Sequence, residues 1–240
     1  MALKKRVIKR FRAPAALARF AAGLLTKALR EKKGPLLVAL PGGRTPLPLF
    51  EALAALRADW SRVHFFMSDE RIVPAGSPAS NFGQARKLLF SKIAIPPRNL
   101  HAVKPGSPRS AAAAYGREIK ELSGRADGPD LVFLGLGEDG HIASVFPGSA
   151  ALRAAAGLVV PARAPAGVKP ASRITLSLAA LNAAQTVALM ALGPAKKAVF
   201  ARAAAGDAAL PGGRLCPRCA LYLLYSDESP ARRRPARREK

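Results

Sequence analysis

The sequence predicts an α/β fold: a mostly parallel central sheet with helices on both faces, Rossmann-like in plan. Three observations carry that expectation. Short runs that are apolar throughout recur along the chain, bounded by Gly, Pro or Asp. Stretches of helical period separate them, and no Gly/Ser-rich linker interrupts the alternation. A strand buried on both faces loses the in–out pattern of a half-exposed one, so continuous apolar runs alternating with helices mark a covered parallel sheet.

Taken in order, the basic start MALKKRVIKRFR reads as a solvated end, and the alanine-rich stretch 14–31 as the first helix. PLLVAL (35–40) is the first buried strand. It runs through LPGGRTP into a helix over 46–57, with Pro46 where a first-turn proline is tolerated. VHFFMS (63–68) is the second strand, and Ser80 and Asn81 start a helix over 81–93. A helix at 109–122 leads to the strand DLVFLGLG (130–137). The stretch 145–172, with Pro147, Pro161, Pro165 and Pro170, has no clear period and is expected to loop across the sheet edge. ITLSL (174–178), VALMAL (187–192) and ALYLLY (220–225) complete the predicted sheet, with a helix over 195–205. Residues 1–228 read as one domain and 229–240 as a basic, disordered tail.

Composition bounds the function. The 240 residues carry 39 Lys+Arg against 15 Asp+Glu, a net charge of +24, and 50% are hydrophobic, enough for a core and too many for a disordered polycation. No apolar run approaches the roughly 18 residues of a membrane span, and no signal-peptide core follows the basic start, so a cytoplasmic protein without membrane partners is expected. The positive balance raises nucleic-acid binding. Residues 4–12 and 232–240 each hold six cations, however, and the remaining arginines stand scattered among alanines, which disfavours it. Cys216 and Cys219 form CPRC, half of a zinc site with no second pair and no nearby His, so no metal is expected.

Ligands of an open parallel sheet bind beyond the carboxyl ends of its strands, and four such loops carry chemistry. LPGGRTP (40–46) sets Gly42 and Gly43 before a helix start, where free N–H groups suit a phosphate, with Arg44 and Thr45 adding a cation and a hydroxyl. It is neither GxxxxGK[ST] nor GxGxxG, which disfavours ATP and NAD. SDERIVP (68–74) ends a strand on Asp69, Glu70 and Arg71, costly unless solvated, paired or used, with a local Asp69–Arg71 ion pair as one reading. LGLGEDGHIASVFPGS (134–149) runs through Gly135, Gly137 and Gly140 and presents Asp139 and His141 at an expected helix start. A neutral histidine beside a carboxylate is a natural general base near pH 7. His64 and His101 lack that framing and read as structural or solvated. GPAKKAVF (193–200) brings Lys196 or Lys197 to the same edge.

LPGGRTP, SDERIVP with Ser80 and Asn81, GLGEDGHIASVFPGS, RITLS with the downstream Asn182, and GPAKKA resemble, in order and spacing, the 6-phosphogluconolactonases. These form a wider group with glucosamine-6-phosphate deaminases and ribose-5-phosphate isomerases. The resemblance covers roughly residues 10–225 and implies hydrolysis of 6-phospho-D-glucono-1,5-lactone, without cofactor, by a monomer or weak homo-oligomer whose partner is a small phosphosugar lactone. It implies His141 as the base, Asp139 or Asp69 as orienter of its ring, and Arg71 near the lactone. Gly42, Gly43, Arg44, Thr45, Asn81, Arg173 and Lys196 would hold the substrate and its phosphate. Deaminases resemble DEY and NGHIAFNEP where this chain has Asp69–Arg71 and DGHIASVFP, so deamination is the second reading. A phosphosugar- or nucleic-acid-binding protein without activity is a third, which the presence of His141 disfavours. Two departures stand out: Arg44 replaces the serine usual in the first loop, and LPGGRLCP stands where a small-residue loop is expected.

Overall fold

The computed structural model describes residues 4–230 except 44, 75, 105, 125–127 and 155. Arg44 and the tail from residue 231 onward therefore lie outside the described residues. The elements run β1 (Lys5–Phe11), α1 (Pro14–Glu31), β2 (Leu36–Leu40), α2 (Leu47–Ala54), β3 (Val63–Met67), β4 (Asp69–Arg71), α3 (Asn81–Leu88), α4 (Pro108–Ser123), β5 (Leu131–Gly135), α5 (Ala150–Arg153), β6 (Val159–Arg163), β7 (Ser172–Leu176), α6 (Leu178–Ala183), β8 (Thr186–Leu192), α7 (Lys197–Ala204) and β9 (Ala220–Ser226). Six strands form one parallel sheet in the order β1-β9-β8-β5-β2-β3, and a small antiparallel sheet has the order β4-β7-β6.

Each central strand feeds two cores. In β2, Leu37 and Ala39 join one cluster while Leu36, Val38 and Leu40 join the other, and β5 splits in the same way between Val132, Leu134 and Leu131, Phe133. That is why the strands read as unbroken apolar runs. Helix α1 covers one face because Leu17, Ala18, Ala21, Ala22, Leu24 and Leu25 fall on a single helical stripe. Helix α4 starts on the Ser107 hydroxyl, which accepts from Ser110 N–H, with Pro108 in its first turn, and stops at Gly124, whose φ is +61°.

Three expectations are corrected. The basic start is not a free end: Lys5–Phe11 is an edge strand in register with β9, with Val7 and Phe11 packed against the core and its cations exposed on both faces. ITLSL does not enter the main sheet, because β7 pairs antiparallel with β4 and β6. The segment 145–172 is not a structureless loop, since it holds α5 and β6. Among the described residues no helix is long and apolar enough to cross a membrane.

Two features of this topology make the site. The chain moves outward from β2 to β3, then returns to place β5 on the other side of β2, so β2 and β5 diverge at their carboxyl ends. After β3, Ser68 N–H still donates to the Leu40 carbonyl of the main sheet, while the Ser68 carbonyl accepts from Leu176 N–H. The chain thereby changes sheets at Ser68 and carries Asp69–Arg71 over the gap.

Candidate active site

The loops after β2, β5 and β8 and the strands β4 and β7 surround a cavity of about 180 Å³. Gly42, Gly43, Thr45, Asp69, Arg71, Asn81, His141, Arg173 and Lys196 all border it, with Gly135, Gly137 and Ala143. Residues from six separate stretches of sequence thus converge where the strand order reverses. Among the described residues that border it, Arg71, Arg173 and Lys196 set three cations against one carboxylate, Asp69, a field suited to an anion.

His141 follows a turn that glycine makes possible. A Cβ on Gly137 would lie 2.1 Å from His141 Nδ1, so only glycine lets the imidazole fold back over the loop. The ring Nδ1 meets Asp139 Oδ1 at 2.5 Å, and the same oxygen accepts from His141 N–H at 3.1 Å. With Nδ1–H donating to Asp139, the lone pair stands on Nε2. The bond from His141 holds the Asp139 carboxyl below its ordinary value. Phe146 packs its ring 4.6 Å from that of His141, and the Arg173 guanidinium lies over the same Phe146 ring, 5.9 Å from its centroid. The expected helix after His141 is absent. The chain makes a tight turn at 142–145 instead, and the next helix is α5.

Asp69 does not orient His141 and does not pair with Arg71. Its Oδ2 accepts from the Ser144 hydroxyl at 2.6 Å, and Arg173 Nη1 reaches that hydroxyl at 3.4 Å. Arg71 stands opposite Arg173 in the β4–β7 register and donates from Nη1 to the Ala79 carbonyl at 2.6 Å. Its Nε is buried with no protein partner among the described residues. Burial pushes the Arg173 guanidinium below its ordinary value, with the Asp69 charge acting against that shift.

Glu70, between them, points the other way. It is buried and accepts from Asn81 N–H, Phe82 N–H, Arg71 N–H and the Ser80 hydroxyl, so it closes the 71–80 loop on the start of α3. Burial pushes its carboxyl up despite those four donors. Asn81 then donates from Nδ2 to the Asp69 carbonyl at 2.8 Å and lays its amide under the glycine loop. A Cβ on Gly42 would lie 2.0 Å from Asn81 Oδ1. Lys196 Nζ donates to the Leu136 carbonyl and reaches Thr45 Oγ1 at 3.4 Å, whereas Lys197 begins α7 on the exposed surface.

Sequence reasoning missed Ser144 and gave Glu70 no role of its own. Serine types say little by themselves, and the bond to Asp69 spans 75 residues. Other residues singled out in the sequence lie elsewhere in the fold. His101 sits between His64 and Glu118, at 3.0 and 2.7 Å, and stacks on Phe66, a structural arrangement. Asn182 lies away from the cavity, bonded to the Arg214 carbonyl and Cys216 N–H. Cys216 and Cys219 are free thiols, and among the described residues no three His, Cys, Asp or Glu side chains are grouped to hold a metal.

A family profile described as glucosamine-6-phosphate isomerases/6-phosphogluconolactonase matches residues 12–221. The chain belongs to this family. Among its relatives is a 6-phosphogluconolactonase of Thermotoga maritima, 40% identical over 169 residues, covering 70% of this chain and 74% of the relative. A 6-phosphogluconolactonase of Rattus norvegicus is 33% identical over 227 residues, covering 91% and 88%. The crystal structure of a Thermotoga maritima 6-phosphogluconolactonase superposes with a TM-score of 0.79 at 32% identity, covering 92% of this chain and all of that one. The matched residues therefore include every loop that borders the cavity.

Proposed function

We propose that the protein hydrolyses 6-phospho-D-glucono-1,5-lactone to 6-phosphogluconate, the lactone-opening step of the oxidative pentose phosphate pathway, and that it does so in the cytoplasm. The observation that carries the reading is the His141–Asp139 pair on the rim of a cation-lined cavity in a family whose curated relatives are lactonases. A lactone is an activated ester, so the protein has to hold it, take a proton from water and steady the oxyanion.

On this reading His141 Nε2 takes a proton from water as the water oxygen attacks C1. Arg71 and Arg173, which both border the cavity, neutralise the charge that develops on the carbonyl oxygen. Collapse of the tetrahedral intermediate breaks the C1–O5 bond, and O5 takes the proton from the imidazolium, which returns to its neutral form. The new carboxylic acid ionises to solvent. Asp139 keeps the imidazole in the required tautomer and favours its charged form. The N–H groups of Gly42 and Gly43, Thr45 and Lys196 hold the phosphate.

The test is hydrolysis of 6-phosphogluconolactone, generated in place by a dehydrogenase and followed against its spontaneous opening. Acceleration by the pure protein supports the reading. A folded protein that leaves the spontaneous rate unchanged removes it and makes glucosamine-6-phosphate deamination the next assay.

A further inference from the structure

Among the described residues Ala143 is the one non-glycine with a positive φ, +50°. It holds the first central position of a two-residue turn, in which Ile142 N–H donates to the Val145 carbonyl at 3.3 Å and Val145 N–H returns to the Ile142 carbonyl at 2.9 Å. Such positions favour glycine, because a Cβ there crowds the neighbouring carbonyl oxygen. This loop uses glycine freely at Gly135, Gly137 and Gly140. A Cβ is thus retained at the one point in the loop where losing it would relax the backbone.

The turn connects the two halves of the site. On its N-terminal side, the His141 carbonyl accepts from Gly137 N–H at 2.8 Å, which seats the residue carrying the imidazole. On its C-terminal side, Ser144 N–H donates to Thr175 Oγ1 at 3.2 Å while its hydroxyl joins Asp69 and Arg173. Ala143 borders the cavity between them and packs against the core beneath. Backbone strain kept at the wall of a reaction cavity is an outlier from which a role can be argued.

We propose that Ala143 is a positioning residue: its strained turn fixes the distance between the His141 imidazole and the Ser144–Asp69–Arg173 cluster, so that base and guanidinium address the same carbonyl. The inference rests on the lactonase reading. Glycine at this position opens both hands of φ to the turn, and the two halves drift relative to each other. The strain is released at the same time, so activity and stability separate.

The experiment measures kcat, KM and melting temperature for 6-phosphogluconolactone hydrolysis by the wild type, Ala143→Gly and Ala143→Ser. Ala143→Gly melts no lower than the wild type, keeps KM within about twofold and loses at least about tenfold in kcat, as a small misplacement of reacting groups requires. Ala143→Ser, which returns a Cβ, recovers kcat to within about threefold of the wild type. An Ala143→Gly protein with wild-type kcat overturns the inference, and so does one whose activity falls only in step with its melting temperature. An inactive wild type removes the lactonase reading and the inference together, whereas an active wild type matched by Ala143→Gly removes the inference alone.

Discussion

The Ser144 hydroxyl donates to Asp69 Oδ2 at 2.6 Å and ties the loop after β5 to the short strand β4. Asp69 is only 6% exposed, so its carboxyl oxygens find their partners inside the protein, in this donor and beside Arg173. Ser144→Ala leaves a buried carboxylate short of a partner and frees Arg173 to shift. The expected loss is about 1–3 kcal/mol of stability, read from urea unfolding, with a fall in kcat/KM. Unchanged stability would mean that water replaces the hydroxyl without cost.

Gly42 and Asn81 are coupled by contact. A methyl on Gly42 would lie 2.0 Å from the Asn81 amide oxygen, and Asn81 is itself pinned to the Asp69 carbonyl. Gly42→Ala is expected to displace the glycine loop and raise KM for the phosphorylated lactone, at a cost of about 1–3 kcal/mol in stability. In an Asn81→Ala background the same substitution costs less, and a double-mutant cycle measures the difference.

Stability is expected to fall on mild acidification. Burial, with His101 and Arg98 beside it, pushes the His64 imidazole below its ordinary value. Folded protein therefore binds fewer protons here than unfolded chain, so this contribution is intact above the unfolded value of about 6.5 and is lost as pH drops below it. Urea midpoints at pH 7.5 and 5.5 for the wild type and His64→Gln check it. The variant should show the smaller change.

Asp139→Asn keeps the shape of the His141 contact and removes the charge that favours the imidazolium. A fall of about 10–100-fold in kcat is expected, with KM changed little, because the pair is partly open to solvent. Steady-state kinetics at saturating lactone reads it directly.

Much of this was legible from residue types. β2, β5, β8 and β9 are covered on both faces, so their apolar runs stood out, and the glycines of LPGGRTP and GLGEDGH marked the two loops that close on the cavity. β1 was not legible, because an edge strand with exposed cations on both faces has only Val7 and Phe11 to show a core side. β7 was assigned to the wrong sheet for the opposite reason: an all-buried run carries no sign of direction or partner. The Asp69–Ser144 bond and the capping of α3 by Glu70 depend on contacts across the fold, which spacing along the chain does not encode. The His141–Asp139 pair, two residues apart, is local, and local geometry is what a motif preserves.

The central claim is that His141 activates water for lactone opening, and the most direct measurement compares His141→Ala with the wild type on 6-phosphogluconolactone generated in place. General-base catalysis of this kind contributes about 10²–10⁴-fold. The account predicts a kcat reduced at least about a hundredfold with KM nearly unchanged, in a protein that melts like the wild type. A His141→Ala enzyme that turns over at the wild-type rate would contradict it.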